Sequence, residues 1–219
     1  MSRVMHPNAP VAEWVVVVPV KGGRHAKSRL TAPPGAQRHT LAAAFALDTV
    51  AAAVEAVGRG RVYAVTGPGP QTALLESLGA VIVADPGGGL NAAIRSGLAQ
   101  ACLGAPTRVG LAVLLADLPA LSADDLRLAL RVAAGVPRAF VPDADGTGSV
   151  LITATGAAVP QPAFGADSAA RHERNGHQRL DLDLPGLRTD VDDVTSLRAA
   201  LRVGVGPATT AALSGSATG

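Results

Sequence analysis

The chain is predicted to fold as an α/β domain, a mostly parallel sheet with helices on both faces. Three observations carry that expectation. Short apolar, β-branched runs alternate with longer Ala/Leu-rich segments of helical spacing, which is the pattern of strand and crossover helix. The short runs are almost continuously apolar, as strands buried on both faces are. Hydrophobic residues make up 48% of the 219 residues, enough for one substantial core, although aromatics are only 2%.

Taken in order, strands are expected at residues 14–20, 61–66, 80–84 and 109–115, each too short for a typical helix. Helices are expected between them, at residues 37–57, 70–78, 90–103 and 122–134. Ser122 followed by Asp124 and Asp125 reads as an N-cap with acidic first-turn residues. After residue 134 the pattern changes: residues 138–142 and 149–154 read as two strands joined by the turn-rich DADGTG at 143–148, a hairpin interrupting the parallel alternation. Residues 164–172 open a loop into a short polar helix, residues 187–192 read as a last strand, and Asp193 is placed to cap a helix over 194–202. Beyond residue 202 no side chain is charged and Gly, Ala, Ser and Thr dominate, so the last several residues are expected to be mobile. No repeat or linker divides the chain, which reads as a single domain over residues 1–219 with an ordered core at about 12–210.

Composition narrows the function classes. The net charge is +2, no Lys/Arg tract offers a duplex-binding patch, and few rings are available for base stacking, so a nucleic-acid partner is not expected. The single cysteine, Cys102, excludes an internal disulfide. No apolar stretch of membrane-spanning length or signal-peptide pattern stands out, so no membrane partner is expected and the chain reads as soluble and cytoplasmic. No pattern specifies an oligomeric state.

In open α/β sheets ligands bind beyond the carboxyl ends of the strands. The first such position holds the only two lysines of the chain, Lys21 and Lys27, although seventeen of the nineteen basic residues are arginines. Gly22 and Gly23 permit a tight turn that presents amides to an anion, and Arg24 and Arg29 add charge. No acid lies between Glu13 and Asp48, a 34-residue stretch with five Lys or Arg charges, which suits a polyphosphate. It is not a Walker loop, because Ala26 stands where Gly should precede Lys27-Ser28, and the dinucleotide fingerprint is absent.

Asp117 ends the fourth apolar run, where burying a lone carboxylate is costly unless it is paired or bound to metal. Asp190 and Asp192 alternate around Val191, so in an extended chain both point one way. The three make a hard-cation site for Mg2+ bound to substrate phosphates, or else Asp190, Asp192 and Asp193 only cap a helix or face water. Thr66-Gly67 and the loop from Gly87 through Gly89 to Asn91 follow the second and third strands and can line a nucleotide pocket, although Asn91 can equally be a helix cap. Small polar residues at Gly146 to Ser149 and at Phe164 to Ser168 can hold a phosphate or carboxylate, or simply make turns. His25 and His172 are assigned no essential role.

PVKGGRHAKSRL at 19–30, LLADLPAL at 114–121, DGTGSVL at 145–151, FGADSAARH at 164–172 and TDVDDVTSL at 189–197 together resemble the CofC/FbiD family of guanylyltransferases in coenzyme F420 biosynthesis. The motifs keep order and spacing over nearly the whole chain, and the Ala- and Arg-rich, Lys-poor composition resembles an actinobacterial member. The resemblance implies a Rossmann-like nucleotidyltransferase fold of the glycosyltransferase-A-like type. It also implies transfer of GMP from GTP to phosphoenolpyruvate, with 2-phospho-L-lactate or 3-phosphoglycerate as alternative acceptors and a hand-off of product to the next transferase of the pathway. By the same resemblance Ser149, Gly165 and Ser168 hold phosphoenolpyruvate and Asp117, Asp190 and Asp192 hold the metal; from their charge and their place after the strands, Lys21, Lys27 and Arg29 are expected to act on the triphosphate, with Gly22, Thr66, Gly89 and Asn91 on the nucleotide side. Ser149 departs from the family, where Thr is frequent. A molybdopterin- or cytidylyl-type nucleotidyltransferase and a non-catalytic nucleotide-binding module are the rival readings.

Overall fold

The computed structural model describes residues 13–20, 38–104 and 109–215. Four strands, β1 (Trp14–Pro19), β2 (Val62–Thr66), β3 (Val81–Ala84) and β4 (Gly110–Leu114), alternate with α1 (Arg38–Val57), α2 (Pro70–Leu78) and α3 (Leu90–Gly104). After α4 (Ala123–Ala133), β5 (Arg138–Pro142) and β6 (Ser149–Ala154) form an antiparallel pair, followed by α5 (Ser168–Arg174), β7 (Gln178–Arg179), α6 (Pro185–Arg188), α7 (Val194–Val203) and α8 (Pro207–Ser214). The seven strands form one sheet in the order β3-β2-β1-β4-β6-β5-β7. Only β6 runs against its neighbours, so the expected α/β class and the hairpin that interrupts it are both present.

The order reverses between β1 and β4, which is the position where open α/β sheets bind their ligands beyond the carboxyl ends of the strands. Alternate residues of β1 feed two cores: Val16, Val18 and Val20 pack with α1 and α4, and Val15 and Val17 pack with α3. Val and Ala dominate both cores, which explains how a sheet with so few rings closes: small β-branched side chains let helices lie close to the strands.

Two expectations change. First, α1 is long and apolar enough to cross a membrane by length and composition, contrary to the sequence reading, but it is a core helix whose Leu41, Phe45, Val50 and Ala53 are fully buried against sheet and helices. Second, residues 187–192 are not a strand. Pro185 starts a helical turn, which ends at Thr189, and the segment then meets the loop after β4 through Val191 N–H donating to Asp117 O at 3.0 Å. The ladder position beside β5 goes instead to β7. The uncharged tail, for which the sequence pattern predicts no element, forms α8 on the back of α1, while residues 216–219, at the end expected to be mobile, lie outside the described residues. The buried Asp48 carboxylate accepts from Ala208 N–H at 2.9 Å and Thr209 N–H at 2.8 Å, satisfying two amides of the first turn.

Candidate active site

Asp117 leaves β4 at the point where the sheet order reverses, and a buried threonine fixes the turn that carries it. Thr49 Oγ1 on α1 lies 2.8 Å from Phe45 O and 3.2 Å from Ala116 O, and it accepts from Leu118 N–H at 3.2 Å. Val191 is fully buried among Leu41, Phe45 and Leu197. That anchor holds Asp190 and Asp192 on either side of it. Ser196 Oγ accepts from the amides of Asp192 and Asp193, both at 3.0 Å, while Asp193 caps α7 in a reciprocal capping box. Accepting from Ser196 N–H and then its hydroxyl holds the Asp193 carboxyl below the usual carboxylate range, so Asp193 serves the helix.

Asp117, Asp190 and Asp192 each bring one carboxylate oxygen within 4.8 Å of the others. Oxygens sharing one six-coordinate divalent ion stand about 3 to 5 Å apart, so the trio fits such an ion. The carboxylates come from two segments 73 residues apart, and the backbone bond from Val191 to Asp117 joins them.

The polar wall stands on the adjacent strand. β6 pairs with β4 up to Leu115 N–H donating to Val150 O at 3.0 Å, so Ser149 lies beside the exit of the Asp117 turn. Asp143 closes the DADGTG turn, its two carboxylate oxygens accepting from Thr147 N–H at 3.1 Å and Gly148 N–H at 2.8 Å. A Cβ on Gly148 would sit 2.1 Å from Asp143 Oδ2, so only glycine fits there. Arg188 buckles this turn to the segment of Asp190 and Asp192: its Nη2 donates to Asp143 O at 2.9 Å, and its own carbonyl accepts from Ala144 N–H at 2.8 Å. Sequence reasoning missed Thr49, Asp143 and Arg188; only Asp143, an Asx residue opening a turn, carried a local signal.

The opposite side of the wall is the loop at residues 163–167. Gly165 adopts φ 123°, and a Cβ there would meet the Arg171 guanidinium at 3.0 Å. Arg171 Nη2 donates to Ala166 O, and Asp167 carries the one positive φ among described non-glycine residues. Ser168 then begins α5, 2% exposed, its N–H donating to Gly165 O at 3.1 Å.

His172, passed over in the sequence, is fully buried inside this wall. Its Nδ1 lies 2.9 Å from Ser149 Oγ and its Nε2 accepts from Ala163 N–H at 3.0 Å. The ring contacts Phe164 edge-on at 4.9 Å and His177 at 5.5 Å. Burial foremost, then the neighbouring His177 and Arg171, lower its pKa from 6.5 to about 4, so it is neutral at physiological pH.

The residues expected on the nucleotide side follow β2 and β3. Thr66 is buried, its hydroxyl accepting from Gln71 Nε2 at 3.1 Å and donating to Gly67 O at 3.3 Å. Gly89 lies in the exposed loop before α3. Asn91 uses both ends of its amide on Phe164: Nδ2 donates to Phe164 O and Oδ1 accepts from Phe164 N–H, both at 3.0 Å. It therefore ties the start of α3 to the loop of Gly165. Lys21, Gly22, Lys27 and Arg29 lie outside the described residues.

Comparison with known proteins gives the family and the fold. Residues 39–181 match the model of the MobA-like NTP transferase domain. The phosphoenolpyruvate guanylyltransferase of Streptomyces coelicolor is 48% identical over 203 residues, covering 91% of this chain and 95% of that one. Among solved structures, a Desulfovibrio desulfuricans protein described as a nucleotide-diphospho-sugar transferase matches with TM-score 0.59 at 17% identity, covering 87% of each chain. A Mycobacterium tuberculosis H37Rv protein solved in complex with manganese matches with TM-score 0.51 at 19% identity, over 87% of this chain and 99% of that one.

Proposed function

Because this chain belongs to the MobA-like NTP transferase family and to the phosphoenolpyruvate guanylyltransferases, we propose that it transfers GMP from GTP to phosphoenolpyruvate, releasing pyrophosphate and enolpyruvyl-diphospho-5'-guanosine. The observation that carries the reading is the convergence of Asp117, Asp190 and Asp192 at the sheet reversal, beside the polar wall of Ser149, Gly165 and Ser168. Carboxylates that gather a divalent ion next to a wall of hydroxyl and amide groups suit a reaction between two anions.

An oxygen of the acceptor phosphate forms a new bond to the α-phosphorus of GTP, and the bond from that phosphorus to the β-phosphate bridging oxygen breaks. Pyrophosphate leaves with the electron pair. The attacking oxygen is already anionic near neutral pH, so no strong general base is required; positioning and charge neutralisation carry the catalysis. Asp117, Asp190 and Asp192 would hold Mg2+, which supplies positive charge to the phosphate oxygens when bound. Lys21, Lys27 and Arg29 neutralise the triphosphate and the departing pyrophosphate, and Gly22 offers a close backbone approach. Thr66 and Gly89 border the nucleotide. Asn91 contributes through the position it gives the start of α3, since its amide is engaged by Phe164. Ser149, Gly165 and Ser168 hold the acceptor acid.

In the cell this reaction is placed in the cytoplasm and in coenzyme F420 biosynthesis, with the product passed to the next transferase of that pathway. The test incubates the protein with GTP, Mg2+ and phosphoenolpyruvate, 2-phospho-L-lactate or 3-phosphoglycerate in parallel, and follows pyrophosphate and product mass. Phosphoenolpyruvate is expected to be used best; no pyrophosphate with any acid would sink the proposal, and turnover with CTP in place of GTP would favour a cytidylyl-type enzyme. Asp117→Asn is expected to lower kcat at least about 100-fold, the scale of losing one electrostatic contact at the reacting phosphate.

A further inference from the structure

A neutral imidazole has one N–H donor and one acceptor nitrogen. At His172 the backbone decides which is which. Ala163 offers an N–H to Nε2, so Nε2 is the acceptor and the proton resides on Nδ1, 2.9 Å from Ser149 Oγ. The Ser149 oxygen therefore accepts, and its own proton is free to turn elsewhere. The cage makes this arrangement durable: the ring is fully buried against Phe140, Phe164 and His177, and Arg171 precedes it on α5. A second proton on the ring is opposed by burial and by the neighbouring His177 and Arg171.

We propose that His172 is a positioning residue for the acceptor acid: by donating to Ser149 it leaves the Ser149 proton to be given to an anionic oxygen of the acceptor, and through Nε2 it registers the loop of Gly165 against that hydroxyl. The proposal rests on the acceptor site at Ser149, Gly165 and Ser168. It places a neutral hydrogen-bond relay, rather than a further cation, behind the acceptor.

Pyrophosphate release is measured for wild type, Ser149→Ala, His172→Gln, His172→Asn and the Ser149→Ala/His172→Gln double variant, with KM for phosphoenolpyruvate and for GTP determined separately. Asn can present a donor where Nδ1 stood, whereas Gln reaches Ala163 N–H and loses the donor to Ser149. Ser149→Ala and His172→Gln are expected to raise the phosphoenolpyruvate KM about tenfold while the GTP KM moves less than about twofold, the scale of one hydrogen bond to a charged group. His172→Asn is expected to retain most of the acceptor affinity. The double variant is expected to lose no more than Ser149→Ala alone, since both changes remove one shared interaction. Equal losses in the Asn and Gln variants with both KM values rising together, or fully multiplicative losses in the double variant, would overturn the proposal. If Ser149→Ala leaves the phosphoenolpyruvate KM unchanged, the acceptor site itself is misplaced and the relay falls with it. The 15N shifts of the His172 ring in the wild-type protein need no variant; a ring protonated on Nε2 would also overturn it.

Discussion

At the scale of single residues, the site depends on groups whose importance lies in what they touch rather than in their type. Gly148 illustrates this, because any side chain there collides with Asp143 Oδ2 and opens the turn before Ser149. Gly148→Ala is expected to raise the acceptor KM about tenfold or more while leaving the GTP KM nearly unchanged, read by the same pyrophosphate assay. His172 makes a prediction about pH. Its folded pKa, about 4, is lower than the ordinary 6.5, so the unfolded chain binds a proton between those values that the folded chain does not. The stability this lends is complete above about pH 6.5 and is lost as pH falls toward 4. Chemical denaturation at pH 7 and at pH 5 should show wild type losing more stability over that interval than His172→Gln; equal losses would assign the acid sensitivity to other groups. His177, lowered by burial in the same way, adds in the same direction.

Elements were legible where local pattern and tertiary fate agree. The four early strands sit in continuous apolar runs and every one formed: β1, β2 and β4 are buried throughout, as such runs predict, whereas β3 lies at the sheet edge with Val81 and Ala84 exposed. The segment at 187–192 alternates apolar and acidic residues as a half-buried strand does, yet Pro185 starts a helical turn and the edge beside β5 is taken by β7. The α8 segment was illegible for a different reason. Its docking depends on Asp48, about 160 residues earlier, and on Gly206, where a Cβ would lie 2.4 Å from the Asp48 carboxyl carbon. Asp48→Ala is expected to cost about 2 kcal/mol, the scale of hydrogen bonds to a buried charged acceptor, and to raise hydrogen exchange in α8 first. Unchanged exchange there would mean α8 is held by its apolar contacts with α1.

On the scale of the whole molecule, the sheet reversal between β1 and β4 brings distant segments together. Asp117 arrives from β4, Asp190 and Asp192 from the far side of α6, and Ser149 from the reversed strand β6. Arg188 joins two of these by holding the Asp143 turn and the segment of Asp190 and Asp192 together. Arg188→Leu is expected to impair both, raising the acceptor KM and the Mg2+ concentration needed for half-maximal rate by about five- to tenfold each. An effect confined to one substrate would show that the turn and the segment of Asp190 and Asp192 do not move together.

The sequence alone determined the α/β class, the strand ends where chemistry gathers, the carboxylates able to hold a divalent ion and the motifs that resemble a guanylyltransferase. Those features are local: periodicity, a carboxylate closing an apolar run and short motifs are each written within a few neighbouring residues. Only the tertiary structure decided that Val191 N–H meets Asp117 O and joins the two carboxylate segments, that Asn91 grips Phe164, and that His172 is a buried relay behind Ser149. These contacts join residues far apart in the chain. Their free energy comes from pairing polar groups that burial has removed from water, and which groups are buried together is fixed only when the sheet and its helices close.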